Sequence, residues 1–318
     1  MKIVITDGNA VNPGDLSWDF LNQYGQVVVY PRTPAELAEE RLRDADIILI
    51  NKTPITDALL EACPSIKLIC VLATGYNVVD CEAAARRGIP VCNVPDYSTN
   101  AVAQFTFSLL LELCNGVGHH STQVQDGAWC RCPDFCFWNT PQVELAGKTV
   151  GIIGFGRIGR AVGRIARAFG MEVLAYNRSR CPEGEAIGTY VDLETLLSRS
   201  DVVSLHCPLT PQTEGIINAE ALSRMKDGAI LLNTARGPLL DEAAVATALH
   251  DGKLRGAAMD VVSCEPILES NPLLTAPNCI ITPHMAWAPI ESRRRILDCT
   301  VRSIEGFLAG RPVNTVNL

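Results

Sequence analysis

The stretch TVGIIGFGRIG, residues 149–159, decides the fold of the larger part of this chain. Its first five residues form a short β-rich run, and the six that follow match the pattern G-x-G-x-x-G. Between a strand and a helix, the first glycine allows a tight turn, the second lets the backbone approach a pyrophosphate, and the third lets the helix pack close to the strand. The first amides of such a helix face the phosphates. The stretch therefore predicts a dinucleotide site built from Gly154, Gly156, Arg157, Ile158 and Gly159.

Strand-like runs separated by helical stretches continue on both sides of this motif. Downstream of residues 149–153 lie five further runs, at Glu172–Tyr176, Asp201–Leu205, Ala229–Asn233, Ala257–Val261 and Cys279–Thr282. Six strands match a complete doubly wound dinucleotide-binding sheet. Upstream lie another five, at Ile3–Thr6, Val27–Tyr30, Asp46–Ile50, Lys67–Leu72 and Ile89–Val94. The alternation predicts an α/β fold with two doubly wound, mostly parallel sheets.

The segment between the two series of strands has a different character. Ser98, Thr99 and Asn100 can cap an apolar helix over Ala101–Leu113, and residues 115–148 follow with little periodicity. Long connections of this kind either carry function or mediate contacts, and a plain surface excursion is the open alternative. At the other end of the chain, an apolar face predicts a helix over Pro289–Ala309.

Length and composition restrict the class of protein. The chain has 318 residues, enough for about two domains, with 47% hydrophobic and 19% charged residues, as in globular proteins. Its net charge of -8 disfavours binding to nucleic acid or to an anionic membrane. The run that follows Met1 resembles a strand rather than a leader peptide, so we expect a cytoplasmic protein.

The cysteines give little evidence for a metal site. Most of the 13 lie in apolar runs, where cysteine acts as a small buried hydrophobe. Cys130, Cys132 and Cys136 lie near Trp129 and Trp138, but C-x-C-x3-C lacks the second half of a zinc motif. We expect reduced loop thiols and no metal, with zinc or a redox pair as the alternative.

The residues after the second strand of the central series bear on the choice of cofactor. An acidic residue at this position would bond the ribose 2′-hydroxyl of NAD. Here the strand ends at Asn177, which Arg178, Ser179 and Arg180 follow. An asparagine beside two arginines tolerates a 2′-phosphate and favours NADP, although Asn177 can also bond a hydroxyl, so both cofactors stay open.

Three polar residues stand at the ends of late strands, where doubly wound folds bind ligands. Arg236 can form two parallel hydrogen bonds with the carboxylate of an oxoacid. His284 can exchange a proton near neutral pH, and Glu265 can orient its ring from the other nitrogen. Taken singly, each residue also fits a structural role, as a surface arginine, a capping glutamate or a core histidine.

The order of these motifs resembles the D-isomer-specific 2-hydroxyacid dehydrogenases over essentially the whole chain. The motifs are GFGRIG, NTARG, a glutamate five residues after GAAMD, and TPHMAW. MKIVITDG, LATGYNVVD, NVPDYSTNAVAQ, ELAGKTVGIIG and HCPLTP most resemble the glycerate dehydrogenase (hydroxypyruvate reductase) branch. The resemblance implies a flavodoxin-like substrate domain, residues 1–98 plus 289–318, and an inserted Rossmann domain, residues 99–288. It also implies a homodimer formed through residues 115–148, in which Trp138 reaches the partner's active site.

The resemblance assigns roles in the reduction of hydroxypyruvate or glyoxylate by NADH or NADPH. Arg236 would bind and polarise the 2-oxoacid, His284 would protonate its carbonyl oxygen, and Glu265 would tune His284. Further cofactor contacts fall on His206, Cys207, Thr213, Thr234, Ala235 and Asp260, and further substrate contacts on Lys52, Ala73, Thr74 and Gly75.

Two other functions remain open at this stage. A dinucleotide-sensing binding protein or corepressor can use the same fold, because a fold alone does not decide function. A dehydrogenase of 3-phosphoglycerate would need a cationic pocket for the phosphate, for which Lys52 is the only obvious candidate. The particular 2-hydroxyacid and the physiological direction cannot be read from the residues.

Overall fold

The computed structural model describes residues 1–317 and contains two compact units. We call Met1–Ser98 with the residues from Trp287 onward the N-terminal unit, and Thr99–Ala286 the central unit. The chain returns to the N-terminal unit at Trp287, two residues before the boundary at residue 289 that the family resemblance implies. Each unit holds one parallel sheet, which confirms the predicted α/β class.

The sheet of the N-terminal unit has five parallel strands. They are β1 (Lys2–Ile5), β2 (Gln26–Val29), β3 (Ile47–Ile50), β4 (Leu68–Val71) and β5 (Val91–Cys92), in the order β2-β1-β3-β4-β5. Every residue of β3 and β4 is buried, as expected for parallel strands covered on both faces. The strand order reverses between β1 and β3, so the carboxyl ends of these strands form the switch point of the sheet.

Four helices connect these strands: α1 (Gly8–Val11), α2 (Ala35–Leu42), α3 (Asp57–Ala62) and α4 (Cys81–Arg86). Side chains fix where α3 and α4 begin. The Thr56 hydroxyl accepts a hydrogen bond from the Leu59 amide, and the Asp80 carboxylate accepts one from the Ala83 amide. Both residues satisfy amides that a helix N-terminus leaves without partners.

The central sheet has seven parallel strands in the order β12-β11-β10-β9-β6-β7-β8. They are β6 (Thr149–Ile153), β7 (Glu172–Tyr176), β8 (Thr189–Tyr190), β9 (Val202–Leu205), β10 (Ala229–Asn233), β11 (Leu254–Met259) and β12 (Cys279–Ile281). The prediction of six strands missed β8, which is too short to show a pattern. It also placed the start of β11 three residues too late and its end two residues too late.

Seven helices belong to the central unit: α5 (Thr99–Asn115), α6 (Val117–Gln125), α7 (Arg157–Ala168), α8 (Pro182–Glu185), α9 (Leu193–Arg199), α10 (Ala219–Arg224) and α11 (Glu242–His250). The expectation of a structureless stretch over residues 115–148 is wrong for α6. The sequence of α6 carries no apolar stripe, and none of its residues is buried. Within residues 1–317, no single helix is long and apolar enough to cross a membrane, although α5 and α6, bent by 58°, satisfy length and composition as a pair.

The last helix, α12 (Ile290–Leu308), belongs to the N-terminal unit. Its buried Ile296 and Ile304 pack in one core cluster with Ile3 of β1. Arg293 forms two hydrogen bonds of 2.6 Å with the Asp15 carboxylate and ties the helix to the loop after α1. Beyond α12, residues 314–317 pair with β5, where Val316 donates to the Val91 carbonyl. The end of the chain thereby covers the edge of the first sheet.

Candidate active site

The glycine motif forms the turn between β6 and α7. Gly154 has a φ of +94°, and an added Cβ there would collide with the backbone of Cys207, which follows β9. Gly156 precedes the first residue of α7, and a Cβ added to it would meet no described protein atom within 4 Å. Open space therefore lies beside the backbone at the start of the helix. This arrangement fits a dinucleotide pyrophosphate, which needs close backbone approach and a helix N-terminus.

Asn177 ties the glycine turn to the loop after β7. Its Oδ1 accepts a hydrogen bond from the Phe155 amide at 3.1 Å, and its Nδ2 donates to the Ser179 carbonyl at 2.7 Å. Arg178 and Arg180 are exposed, and the Arg180 guanidinium carbon lies 5.7 Å from the ring centroid of Tyr190. Both ends of the Asn177 amide are thus engaged within the protein.

His206 and Cys207 follow β9, directly beside the glycine turn. The His206 amide donates to the Ile153 carbonyl, and its Nε2 lies 2.8 Å from the Ser204 hydroxyl. Burial lowers the pKa of the His206 imidazole to about 3, so the ring is neutral near pH 7. Its Nδ1 is a buried atom with no hydrogen-bond partner among the described residues. An unsatisfied buried nitrogen of this kind is a position where a bound molecule or a water could supply the missing partner.

Thr213 and Thr234 use their hydroxyls within the protein. Thr213 Oγ1 donates to the Pro208 carbonyl at 2.7 Å and accepts from the Thr210 amide at 2.8 Å. Thr234 Oγ1 lies 3.1 Å from the hydroxyl of Thr106 on α5. These contacts shape the loops after β9 and β10. Thr234 is buried, with 9% of its surface exposed.

Glu265 and His284 come together at the carboxyl edge of the central sheet. Glu265 Oε2 lies 2.7 Å from His284 Nδ1, and both side chains are about one-third exposed. A carboxylate on Nδ1 orients the imidazole and favours the tautomer with hydrogen on that nitrogen. The pair predicted from the sequence is therefore present in the structure, with the geometry that general acid–base chemistry needs.

The backbone of His284 adopts a left-handed conformation, with a φ of +52°. Such a conformation costs a residue other than glycine about 1–3 kcal/mol. Asp260 holds it: the Asp260 carbonyl accepts from the His284 amide at 2.8 Å. The Asp260 carboxylate, 1% exposed, accepts from the amides of Met285 and Ala286 at 2.9 and 2.8 Å and from the Thr282 hydroxyl at 2.6 Å. Asp260 thus fixes the loop that carries His284.

Arg236 follows β10, and its side chain is exposed. Its Nη1 donates to the Ala235 carbonyl at 2.7 Å, and Asn233 Nδ2 donates to the Arg236 carbonyl at 2.8 Å. A Cβ added to the next residue, Gly237, would collide with the backbone of Val262. The loop of Arg236 therefore lies directly against the loop that leads to Glu265. Strands β10, β11 and β12 are neighbours, so all three catalytic candidates follow adjacent strands.

Glu242, at the start of α11, was not singled out in the sequence. Its carboxylate accepts from the Ser263 amide at 2.7 Å, from the Ser263 hydroxyl at 2.6 Å and from Asn271 Nδ2 at 2.9 Å. It thus holds the loop between Asp260 and Glu265 from outside. The only signal in the sequence was its place in the first turn after the NTARG motif, where an acidic residue is also expected for the helix dipole.

The predicted substrate-binding residues of the N-terminal unit lie at the carboxyl edge of its sheet. Lys52 is exposed in the loop after β3, and Ala73–Gly75 form the loop after β4. Thr74 Oγ1 donates to the Val94 carbonyl at 2.7 Å, and Asn93 Nδ2 donates to the Thr74 carbonyl at 2.8 Å. The two loops follow neighbouring strands of one sheet.

The thiols near the tryptophans lie in the loop after α6. Cys130 is exposed, Cys132 and Cys136 are half-buried, and all three are free. Among the residues described, no group of three or more His, Cys, Asp or Glu side chains could hold a metal ion.

Comparison with known proteins agrees with this geometry. A model of the family "D-isomer specific 2-hydroxyacid dehydrogenase, NAD binding domain" matches residues 107–286. The hydroxypyruvate reductase of Blautia hydrogenotrophica is 54% identical over 100% of both chains. The glycerate dehydrogenase of Methylorubrum extorquens is 41% identical over 99% of this chain and 98% of its own.

A solved structure shares the fold over its full length. It is an acyclic imino acid reductase in complex with NADPH and D-Arg, 32% identical, with a TM-score of 0.83 over 99% of this chain and 100% of its own. The family model and this neighbour support a nicotinamide dinucleotide as the cofactor class. The chain belongs to the D-isomer-specific 2-hydroxyacid dehydrogenase family, in the branch of the glycerate dehydrogenases and hydroxypyruvate reductases.

Proposed function

We propose that this protein reversibly transfers a hydride between a nicotinamide dinucleotide and a small 2-oxoacid, with hydroxypyruvate or glyoxylate as the substrate. The product from hydroxypyruvate is D-glycerate. The observation that carries the proposal is the 2.7 Å contact between Glu265 and His284 at the edge of the dinucleotide-binding sheet. The similarity to a hydroxypyruvate reductase over the full chain supports the choice of substrate.

The three catalytic candidates have separate roles in the proposed reduction. The Arg236 guanidinium binds the substrate carboxylate and polarises the carbonyl group, because its planar fork matches two oxygens at once. His284 donates the proton from Nε2 to the carbonyl oxygen, while Glu265 keeps the ring oriented through Nδ1. When bound, the reduced nicotinamide supplies the hydride that the carbonyl carbon accepts. In the oxidative direction, neutral His284 takes the hydroxyl proton back.

The glycine turn and the neighbouring loops would hold the cofactor. The amides at the start of α7 would face the pyrophosphate, and Asp260, Thr234 and Ala235 would contact the nicotinamide end. His206, Cys207 and Thr213 would contact other parts of the cofactor. The buried, unpartnered Nδ1 of His206 supports a bound group or an ordered water on this side.

We further propose a preference for NADP over NAD. Both amide atoms of Asn177 are occupied by Phe155 and Ser179, and no carboxylate replaces it at the ribose position. Arg178 and Arg180 are exposed beside it and can bind a 2′-phosphate. Comparable catalytic efficiency with NADH and NADPH, or a preference for NADH, would contradict this preference.

The organisation of the protein is part of the same proposal. Residues 1–98 and 289–318 would form the substrate domain, in which Lys52 and the amides of Ala73–Gly75 bind the substrate carboxylate, and residues 99–288 the cofactor domain. Residues 115–148 would form a homodimer interface. The exposure of Trp129, Phe135 and Trp138, at 51%, 88% and 67%, supports burial by a second copy. The negative charge supports a protein that binds neither nucleic acid nor anionic membranes, and we propose that it is cytoplasmic.

One experiment tests the function and its two rivals. Purified protein is given NADH or NADPH with hydroxypyruvate, glyoxylate, pyruvate or phosphohydroxypyruvate, and oxidation of the cofactor is followed by absorbance. We expect the fastest turnover with hydroxypyruvate or glyoxylate. Turnover confined to phosphohydroxypyruvate would favour a dehydrogenase of 3-phosphoglycerate. Tight dinucleotide binding without turnover on any oxoacid would favour a dinucleotide sensor.

A further inference from the structure

Asp7, the second residue after β1, lies at the centre of a polar cluster. Its carboxylate has no role in the reaction proposed above. The residue is 8% exposed. Its Oδ2 accepts hydrogen bonds from the amides of Asn51, Lys52 and Thr53 at 3.0, 2.9 and 2.9 Å. The Thr53 hydroxyl donates to the same carboxylate, at 2.8 Å from Oδ1.

Three successive amides that converge on one oxygen form a concavity that binds anions. In this protein the anion is supplied by the chain itself. Burial raises the pKa of the Asp7 carboxyl, but the amides of Asn51, Lys52 and Thr53 and the Thr53 hydroxyl outweigh it, and the pKa is lowered overall. Asp7 is therefore ionised at neutral pH, and the amides of residues 51–53 are occupied.

The cluster continues to the neighbouring loop. Asn51, whose amide binds Asp7, donates from Nδ2 to the Leu72 carbonyl at 3.0 Å, directly before the loop Ala73–Gly75. Within that loop, the Thr74 hydroxyl donates to the Val94 carbonyl, and the Thr74 carbonyl accepts from the Asn93 side chain. A chain of hydrogen bonds thus runs from Asp7 through the loop after β3 to the loop after β4.

This cluster lies at the part of the sheet where ligand binding is expected. Asp7 follows β1 and residues 51–53 follow β3, and the strand order reverses between these two strands. Doubly wound sheets bind ligands at such a switch point. Lys52, which is exposed, lies at this point, and the loop Ala73–Gly75 follows the neighbouring strand β4.

We propose that Asp7 is a positioning residue for substrate binding, which fills the amide concavity of residues 51–53 and thereby sets Lys52 and the loop Ala73–Gly75 for the carboxylate of the oxoacid. The inference rests on the proposed function. Because Asp7 occupies the concavity, the substrate carboxylate is directed to the Lys52 side chain and to the loop after β4. Removal of the Asp7 carboxylate would leave the concavity open to a small anion from solution.

The test compares Asp7→Ala with a matched control at the opposite edge of the same sheet. Asp46 precedes β3, and its carboxylate accepts from the Lys2 amide at 2.8 Å and from Lys67 Nζ at 2.7 Å. Asp46→Ala therefore also removes a carboxylate that bonds a backbone amide, but away from the switch point. Wild type and both variants are assayed for KM and kcat with hydroxypyruvate, for dinucleotide affinity by fluorescence titration, and for thermal stability.

We expect Asp7→Ala to raise the KM for hydroxypyruvate about 10- to 100-fold, since misplacement of binding groups by about an ångström has effects of this size. Its kcat and its affinity for the dinucleotide should stay near those of the wild type. Added formate should lower the KM of Asp7→Ala by filling the vacated concavity, whereas in the wild type formate can only compete with the substrate. Asp46→Ala should keep the wild-type KM with and without formate.

Each result supports or overturns the inference. An Asp7→Ala variant with the KM of Asp46→Ala, or one whose KM formate does not lower, would contradict it. Should Asp7→Ala not fold, Thr53→Val removes one donor of the cluster and is expected to raise KM a few-fold, and an unchanged KM there would overturn the inference. Failure of the proposed function would be distinct, because the wild type itself would then show no turnover on the oxoacids.

Discussion

Two buried aspartates, Asp7 in the N-terminal unit and Asp260 in the central unit, organise the carboxyl edges of the two sheets. Each follows a buried strand, and each accepts amides from the loop after a neighbouring strand in its sheet. The loops they hold differ. Asp7 gathers three successive amides beside Lys52, whereas Asp260 stabilises a loop in which His284 has a φ of +52° and contacts Glu265. Asp7 thus positions groups that bind the substrate, whereas Asp260 positions groups that exchange a proton.

This difference predicts that substitutions in the central unit change turnover, and the largest effect should come from His284→Gln. Loss of the proton donor should lower kcat about 10²- to 10⁴-fold, the usual contribution of general acid–base catalysis, with little change in KM. Steady-state kinetics with hydroxypyruvate measures both constants. A loss confined to KM would show that His284 binds substrate instead of protonating it.

Arg236→Lys should have the next largest effect. Lysine keeps the positive charge but loses the fork that binds two carboxylate oxygens and polarises the carbonyl group. Because the guanidinium acts in both the ground state and the transition state, KM should rise and kcat should fall, for a combined loss in kcat/KM of about 10²- to 10³-fold. If Arg236→Lys kept the wild-type kcat, Arg236 would contribute to substrate binding and not to turnover.

Asp260→Asn gives the direct counterpart to the substitution of Asp7. The amide cannot accept from the Met285 and Ala286 amides and the Thr282 hydroxyl as the carboxylate does, so the loop of His284 should loosen. We expect kcat to fall about 10- to 100-fold, with the KM for the oxoacid nearly unchanged. If Asp260→Asn instead raised KM as strongly as Asp7→Ala, the division into binding and proton-transfer edges would be wrong.

The smallest effect concerns stability at mildly acid pH. The folded-state pKa of His206 is about 3, below its ordinary 6.5, so the unfolded chain binds the extra proton between these values and stability falls as the pH is lowered. The loss is at most about 1.4 kcal/mol per pH unit. The lowered pKa of Asp7 acts only below its ordinary value of 3.8, as the pH falls toward the folded-state pKa.

Thermal unfolding of the wild type and of His206→Asn between pH 6.5 and 4.5 measures the His206 contribution. The midpoint of the wild type should fall more steeply with decreasing pH than that of the variant. Amide exchange should place the loss in the central unit, because no described group of the N-terminal unit has a pKa that is shifted into this range. Parallel curves for the two proteins would contradict the role of His206.

The sequence predicted features that depend on residue type and on short-range pattern. The glycine turn, both parallel sheets and the pairing of Glu265 with His284 were of this kind. It missed β8, which has only two residues, and α6, which has no buried face. Asn177 was expected at the ribose, and its local hydrogen bonds to Phe155 and Ser179 were not visible in the sequence.

The role of Asp7 could not be predicted because the three backbone amides that it binds lie more than 40 residues away. Backbone amides carry no sequence signature, so a carboxylate that binds them resembles any other aspartate at the end of a strand. Asp260 was named through the family resemblance, but its contacts with the loop of His284 emerged only from the fold.

The course of the chain through the two units has a consequence for the order in which they form during protein synthesis. The central unit is one continuous segment, Thr99–Ala286, whereas the N-terminal sheet is completed by α12 and by residues 314–317, which pair with β5. During synthesis, β1 to β5 are therefore made before the central unit, and α12 is made after it. Until then, Ile3 and its core partners lack the side chains of α12 that complete their cluster. The edge that holds Asp7 is thus translated before the central unit, although its unit is completed after it.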